Sequence, residues 1–187
     1  MYGKFFEKLV LGSLLTLLGF ALKKEDSESS EKFFWLSERG KKRESDATVI
    51  YELGKGARFD IGFIGHGNTE ISLDKVSRFE REIEIGSLKD YMSTIILVDR
   101  IGDKSRIISM AKQIDGDIIQ MSMTYWVKEV ASVLHSRMDF FHPLLSMDGE
   151  SSILYINDQM KQTALSISGR TTFILSKAKD TCYNQQS

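Results

Sequence analysis

The sequence predicts a mostly β fold: an antiparallel β-sandwich over residues 47–127, with a hydrophobic helix before it and a small C-terminal extension after it. Three observations carry this. Between Thr48 and Val127, short apolar runs alternate with turn-forming residues, and no helix-length pattern separates them. Phe59, Ile61 and Phe63 alternate with Asp60 and Gly62, the period of a half-buried strand. Turn signals are dense, at Gly54-Lys55-Gly56, Gly65-His66-Gly67-Asn68, Asp74-Lys75 and Asp115-Gly116-Asp117. Strands at such short spacing pair most simply as antiparallel neighbours in two packed sheets.

A hydrophobic share of 42% against 27% charged residues suits a folded body with its own core. The net charge of −1 argues against a chain built to wrap nucleic acid, so no nucleic-acid partner is expected. The single cysteine, Cys182, excludes an internal disulfide and any multi-cysteine zinc site.

In chain order, residues 1–24 form the hydrophobic helix. Leu9 to Leu22 is a run of fourteen residues without a charge. A bilayer span needs about 20, so the run suits a short tilted membrane helix or an amphipathic anchor, with a signal-peptide core and a helix packed on the protein's own body as alternatives. Gly12, Ser13, Thr16 and Gly19 share one helical face and would let a second helix approach. Residues 5–22 are therefore expected to anchor the chain on the cytoplasmic side of a membrane, or, if cleaved as a signal, to export it. Residues 25–46 form an acidic and polar linker carrying the aromatic patch Phe33-Phe34-Trp35-Leu36. Within the sandwich, strands are expected at Thr48–Leu53, Phe59–Phe63, Glu70–Leu73, Phe79–Ile85, Thr94–Val98, Arg106–Met110 and Ile118–Val127. In the extension, 128–187, Lys128 to Arg137 reads as a helix, and Ser152–Ile156 and Thr171–Leu175 read as strands before a frayed tail.

The central part resembles a forkhead-associated domain, a β-sandwich family whose loops at one end bind phosphothreonine peptides. Ile64-Gly65-His66 stands where that family has Gly-Arg, and Val76-Ser77-Arg78-Phe79-Glu80 where it has Ser-Arg-x-His. Residues 98–106 resemble its asparagine-bearing loop, and Asp115-Gly116-Asp117-Ile118 its late Gly-Asp-x-Ile turn. The resemblance implies a phosphopeptide site built from His66, Ser77, Arg78, Lys104, Ser105 and Arg106. Three family positions differ: His66 replaces the phosphate-gripping arginine, Glu80 the bracing histidine, and Lys104-Ser105-Arg106 the Asn-Gly-Thr triplet. A neutral imidazole offers one uncharged donor where arginine offers a charged fork.

Other chemistries are weaker. His66 beside Gly67 resembles the histidine turn of caspase-like peptidases, but Asp99 ends the strand where that family needs its cysteine. His135 and His142 have no neighbouring carboxylate in a ligand spacing, and Glu80, Glu82 and Glu84 read as a solvated strand face. Gly54-Lys55-Gly56 lacks the spacing and following helix of a phosphate loop. The expectation is thus a non-catalytic, membrane-associated scaffold for protein-protein interaction, with no enzyme activity, cofactor or metal. A working phosphothreonine-peptide receptor is the alternative.

Overall fold

The structure is a computed structural model. It describes residues 2–23, 32–37, 45–52, 54–62, 92–101 and 115–162, with the side chains of residues 2–4 left aside. It divides into two units, residues 1–147 and residues 148–187.

The first unit holds a six-stranded mixed sheet, with neighbours in chain order: β1 (Ala21–Leu22), β2 (Phe33–Leu36), β3 (Ala47–Glu52), β4 (Lys55–Gly62), β5 (Met92–Val98) and β6 (Gly116–Gln120). The β2–β3 and β3–β4 pairs are antiparallel, whereas β1–β2, β4–β5 and β5–β6 are parallel. The described strands therefore form one mixed sheet where the sequence suggests two antiparallel ones. The physical reason lies in Thr94-Ile95-Ile96-Leu97-Val98, all buried. A strand buried on both faces shows no alternation, and that is the signature of a parallel strand inside an α/β sheet as much as of a sandwich core.

Two helices cover one face of the sheet. In α1 (Tyr2–Leu17), Leu11, Leu14, Leu15 and Leu17 are buried, and Leu18 and Phe20 follow them into the core. Phe5, Phe6 and Leu9 stay exposed. Gly12 faces Leu36 of β2, whose side chain lies 3.8 Å from where a Cβ would stand. Gly19 ends the helix. Its φ of 85° puts it in the left-handed region, its N–H donates to Thr16 O, and Phe20 N–H donates back to Leu15 O, both at 3.0 Å. No described helix is long and apolar enough to cross a membrane.

The second helix, α2 (Trp126–Met138), buries Val127, Val130, Ala131, Leu134 and Met138. It begins within the stretch read as the last sandwich strand: β6 stops at Gln120, the chain turns through residues 121–125, and the helix follows. Asp139, left-handed at φ 58°, closes it, and its carboxylate meets Lys55 Nζ at 3.3 Å. Arg137 fastens α2 to the start of β6, with Nε 2.9 Å from Asp117 and a terminal nitrogen 2.8 Å from Asp115. These carboxylates raise the arginine's pKa. Phe140 stacks on Phe20 and takes the edge of Tyr51, which joins the ends of α1 and α2 over β3.

In the second unit, residues 149–162 are helical, where Ser152–Ile156 was expected as a strand. Asp148 caps that helix, accepting Ser151 N–H on its carboxylate at 2.7 Å. The expected strands at 70–73, 79–85, 106–110 and 171–175 lie outside the described residues.

Candidate functional site

Because β4, β5 and β6 are parallel, their C-terminal ends lie at one edge of the sheet, with Gly62, Val98 and Gln120 in register. Open α/β sheets hold ligands beyond that edge. The antiparallel β3 starts there too, since Ala47 pairs with Phe59, and this brings Asp46 to the same end. Asp46 accepts the Ile61 N–H on Oδ2 at 3.1 Å and so ties the entry of β3 to the exit of β4.

One turn of the pleat inward stands Asp60. Its neighbours Phe59 and Ile61 point to the helix-covered face, so Asp60 points to the other, in register with Ile96 of β5. It is fully enclosed, at 0% exposure. Along the same face of β4 comes half-buried Arg58, flanked across the sheet by the buried hydroxyls of Thr48 and Thr94. A carboxylate is costly to bury, so its place inside the sheet requires partners that offset the lost hydration.

The loops after β5 and β6 are laced together at this edge. Met121 N–H donates to Val98 O at 2.7 Å and Ser122 N–H to Asp99 O at 3.1 Å. Gln120 accepts the Ile101 N–H on Oε1 at 3.3 Å and donates from Nε2 to Ser122 Oγ at 2.6 Å. Beyond them opens a cleft of about 560 Å³, lined by the 122–125 loop and by Lys128, Glu129 and Ser132 of α2. Among the described residues, no group of three or more His, Cys, Asp or Glu side chains is placed to hold a metal.

All six residues expected to bind a phosphopeptide, His66, Ser77, Arg78, Lys104, Ser105 and Arg106, lie outside the described residues. The sequence reading passed over Asp60 as the polar member of an alternating strand. No local signal marks it: only the pairing with Thr94–Val98, a strand buried on both faces, makes the polar side of β4 interior as well.

Comparison with known proteins decides the family. The profile of the CfrBI restriction endonuclease family matches residues 1–106, more than half of the chain. The chain belongs to the CfrBI restriction endonuclease family. It is 53% identical over 140 residues to the Type II restriction enzyme CfrBI of Citrobacter freundii, an alignment covering 74% of this chain and 39% of that enzyme. The chain thus spans about two fifths of the relative's length. No solved structure matches. Membership in the CfrBI family overturns the forkhead-associated resemblance, whose scattered short motifs are turn residues that any β-rich chain supplies. The non-catalytic scaffold, the phosphothreonine-peptide receptor and the absence of an enzyme fall with it, since the relative is a restriction enzyme. So does the exclusion of nucleic acid. Net charge sums the whole surface, whereas DNA contact depends on where charges sit.

Proposed function

We propose that this chain forms part of a Type II restriction endonuclease that hydrolyses phosphodiester bonds in duplex DNA at a particular sequence, on a restriction-endonuclease-like α/β core. The observation that carries the reading is the 53% identity over 140 residues to the Type II restriction enzyme CfrBI. Asp60 is its centre. Its carboxylate, two residues before the end of β4, is a hard oxygen donor of the kind Mg²⁺ takes, one or two carboxylates sufficing. The donor set fits, because no cluster of three side chains is needed. Bound there, such a cation supplies Lewis-acid polarisation of the phosphate and an activated water. Asp46 holds the end of β4 that carries Asp60, and the laced loops after β5 and β6 fix the rim against which DNA is placed.

The test is cleavage of long duplex DNA by the chain with Mg²⁺ or with chelator, comparing wild type and Asp60→Asn. Loss of a metal-held step costs several kcal/mol, so the variant is expected to cut on the order of a hundredfold more slowly or worse, with its circular dichroism spectrum retained. A wild-type chain that yields no discrete, Mg²⁺-dependent fragments refutes the activity. Undiminished cutting by Asp60→Asn refutes the role of Asp60.

A further inference from the structure

The outward face of α1 belongs neither to the core nor to the chemistry assigned to Asp60. We propose that this face is a contact between two copies of the chain, with α1 packed antiparallel on α1 of a second copy about a two-fold axis beside Leu9.

The first support is the missing charge. Phe5, Phe6, Leu9, Ser13 and Thr16 lie within about 100° of the helix circumference, opposite the buried Leu11, Leu14 and Leu15. Phe6 is 46% and Leu9 53% exposed, and Phe5 more so. No charged residue of α1 falls on that arc, and Glu7 and Lys8 stand outside it. The solvent side of a surface helix normally carries its charges. Here the side turned from the core is uncharged as well, as in a helix covered on both sides.

The second support is a gradient of size along the stripe, and it selects the occupant. The bulky side chains stand in the first half of α1, and Gly12, Ser13 and Thr16 in the second. A two-fold contact must be complementary to itself. With the axis beside Leu9, that leucine meets its own counterpart, while Phe5 and Phe6 fall over Gly12, Ser13 and Thr16 of the second copy, and the reverse. Small residues let the helix axes approach to about 8 Å, and the rings fill the space beside them. A parallel pair would set ring on ring and leave the small halves apart. Duplex DNA fits poorly, because its phosphates need cations that the stripe lacks. A lipid surface fits poorly too: helices that lie in one have a strongly charged second face, and the second face of α1 is spent on the core.

The area sets the strength. The exposed parts of the two phenylalanines come to roughly 180–300 Å² per copy, and Leu9 adds to this. A standard interface buries about 800 Å² per partner, so the stripe is the centre of a reversible dimer that assembles at micromolar concentration, not of an obligate one.

The experiment is sedimentation equilibrium of the full chain from about 1 to 100 μM, the range expected for so small a contact, with wild type, Leu9→Lys, Leu9→Glu and an equal mixture of the two variants. The wild-type mass is expected to rise from one chain towards two. Each variant alone sets like charges against each other across the axis and is expected to dimerise at least tenfold more weakly. The mixture is expected to regain the dimer, because a lysine then faces a glutamate. At the low concentrations of optical unfolding the chain is a single copy, so both variants should keep the wild-type urea midpoint. A wild type that stays monomeric overturns the inference, and if it then sediments with phosphatidylcholine–phosphatidylglycerol vesicles the face belongs to a membrane. A dimer that neither variant weakens overturns the role of α1, and a mixture that stays monomeric overturns the two-fold arrangement. None of these outcomes bears on the endonuclease reading.

Discussion

The role of α1 can be measured by opposing two substitutions on the same helix. Leu15 is 0% exposed and Phe5 is 72% exposed. If the helix belongs to the core, Leu15→Ala removes a fully buried side chain and leaves a cavity against the sheet. Such changes cost about 2.7–5 kcal/mol, set by how far the surroundings collapse. Leu11 and Leu14 on the same helix and Leu18 just after it are buried and held by the Gly19 cap, which limits collapse, so roughly 3–4 kcal/mol is the working figure. In a chain of this length each kcal/mol moves Tm by roughly 2–4 °C, for a total of roughly 6–16 °C. Phe5→Ala, at an exposed site, should stay within about 0.5 kcal/mol. Urea unfolding of the full chain followed by circular dichroism measures both. A membrane anchor would make Phe5 the residue that matters and Leu15 one of several equivalent leucines. A Leu15→Ala loss below about 0.5 kcal/mol, or one smaller than that of Phe5→Ala, refutes the assignment of α1 to the core.

Two further outcomes follow from the first unit. A Cβ at Gly56 would meet Met92 Sδ at 2.6 Å and Val49 O at 2.7 Å. The methionine can swing away but the carbonyl belongs to β3, so Gly56→Ala should cost about 1–3 kcal/mol, read by urea midpoint; a neutral result would show that β3 and β4 are not this close. Burial, with nearby Lys32 acting in the same direction, holds the pKa of His142 below its ordinary value near 6.5, although a hydrogen bond with the Leu17 backbone opposes the shift. Folded chains then bind fewer protons at this site than unfolded ones. The contribution of His142 is therefore complete above about pH 6.5 and is lost as pH falls through the lower folded value. Between pH 7.5 and 5 the wild type should lose more stability than His142→Gln, and parallel pH curves for the two would remove this explanation.

The sequence showed the local elements better than their arrangement. Thr48 to Leu53 was legible as a strand because β-branched and aromatic residues cluster there, and the observed strand is Ala47–Glu52. Lys128 to Arg137 was legible as a helix from the spacing of Val130, Val133 and Leu134, and the helix runs Trp126–Met138. Met121 to Tyr125 misled, because its apolar residues extend the Ile118-Ile119 pattern although Met123 and Tyr125 face solvent. Ser152-Ile153-Leu154-Tyr155-Ile156 misled in the same way, since β-prone residues stand where Asp148 has already capped a helix. The parallel pairing of β4 with β5 could not be read from period or propensity, because it depends on a long-range partner. Asp60 was hidden for that reason. A lone aspartate in an alternating strand looks solvated until the strand beside it is known.

The mixed pairing of the sheet also sets an order of events in folding. The β2–β3–β4 meander joins strands close in sequence, so its contacts close at little entropic cost. The pairs β4–β5 and β5–β6 are non-local and parallel, and such contacts form late. Pulse-labelling hydrogen exchange should therefore protect β3 and β4 before β5, and simultaneous protection would contradict that order. Until β5 docks, Thr94-Ile95-Ile96-Leu97-Val98 is an uncharged, β-prone segment with both edges open, the kind that pairs with its own copies. The strand that joins β6 to the rest of the sheet is thus also a part of the nascent chain that needs shielding from its neighbours.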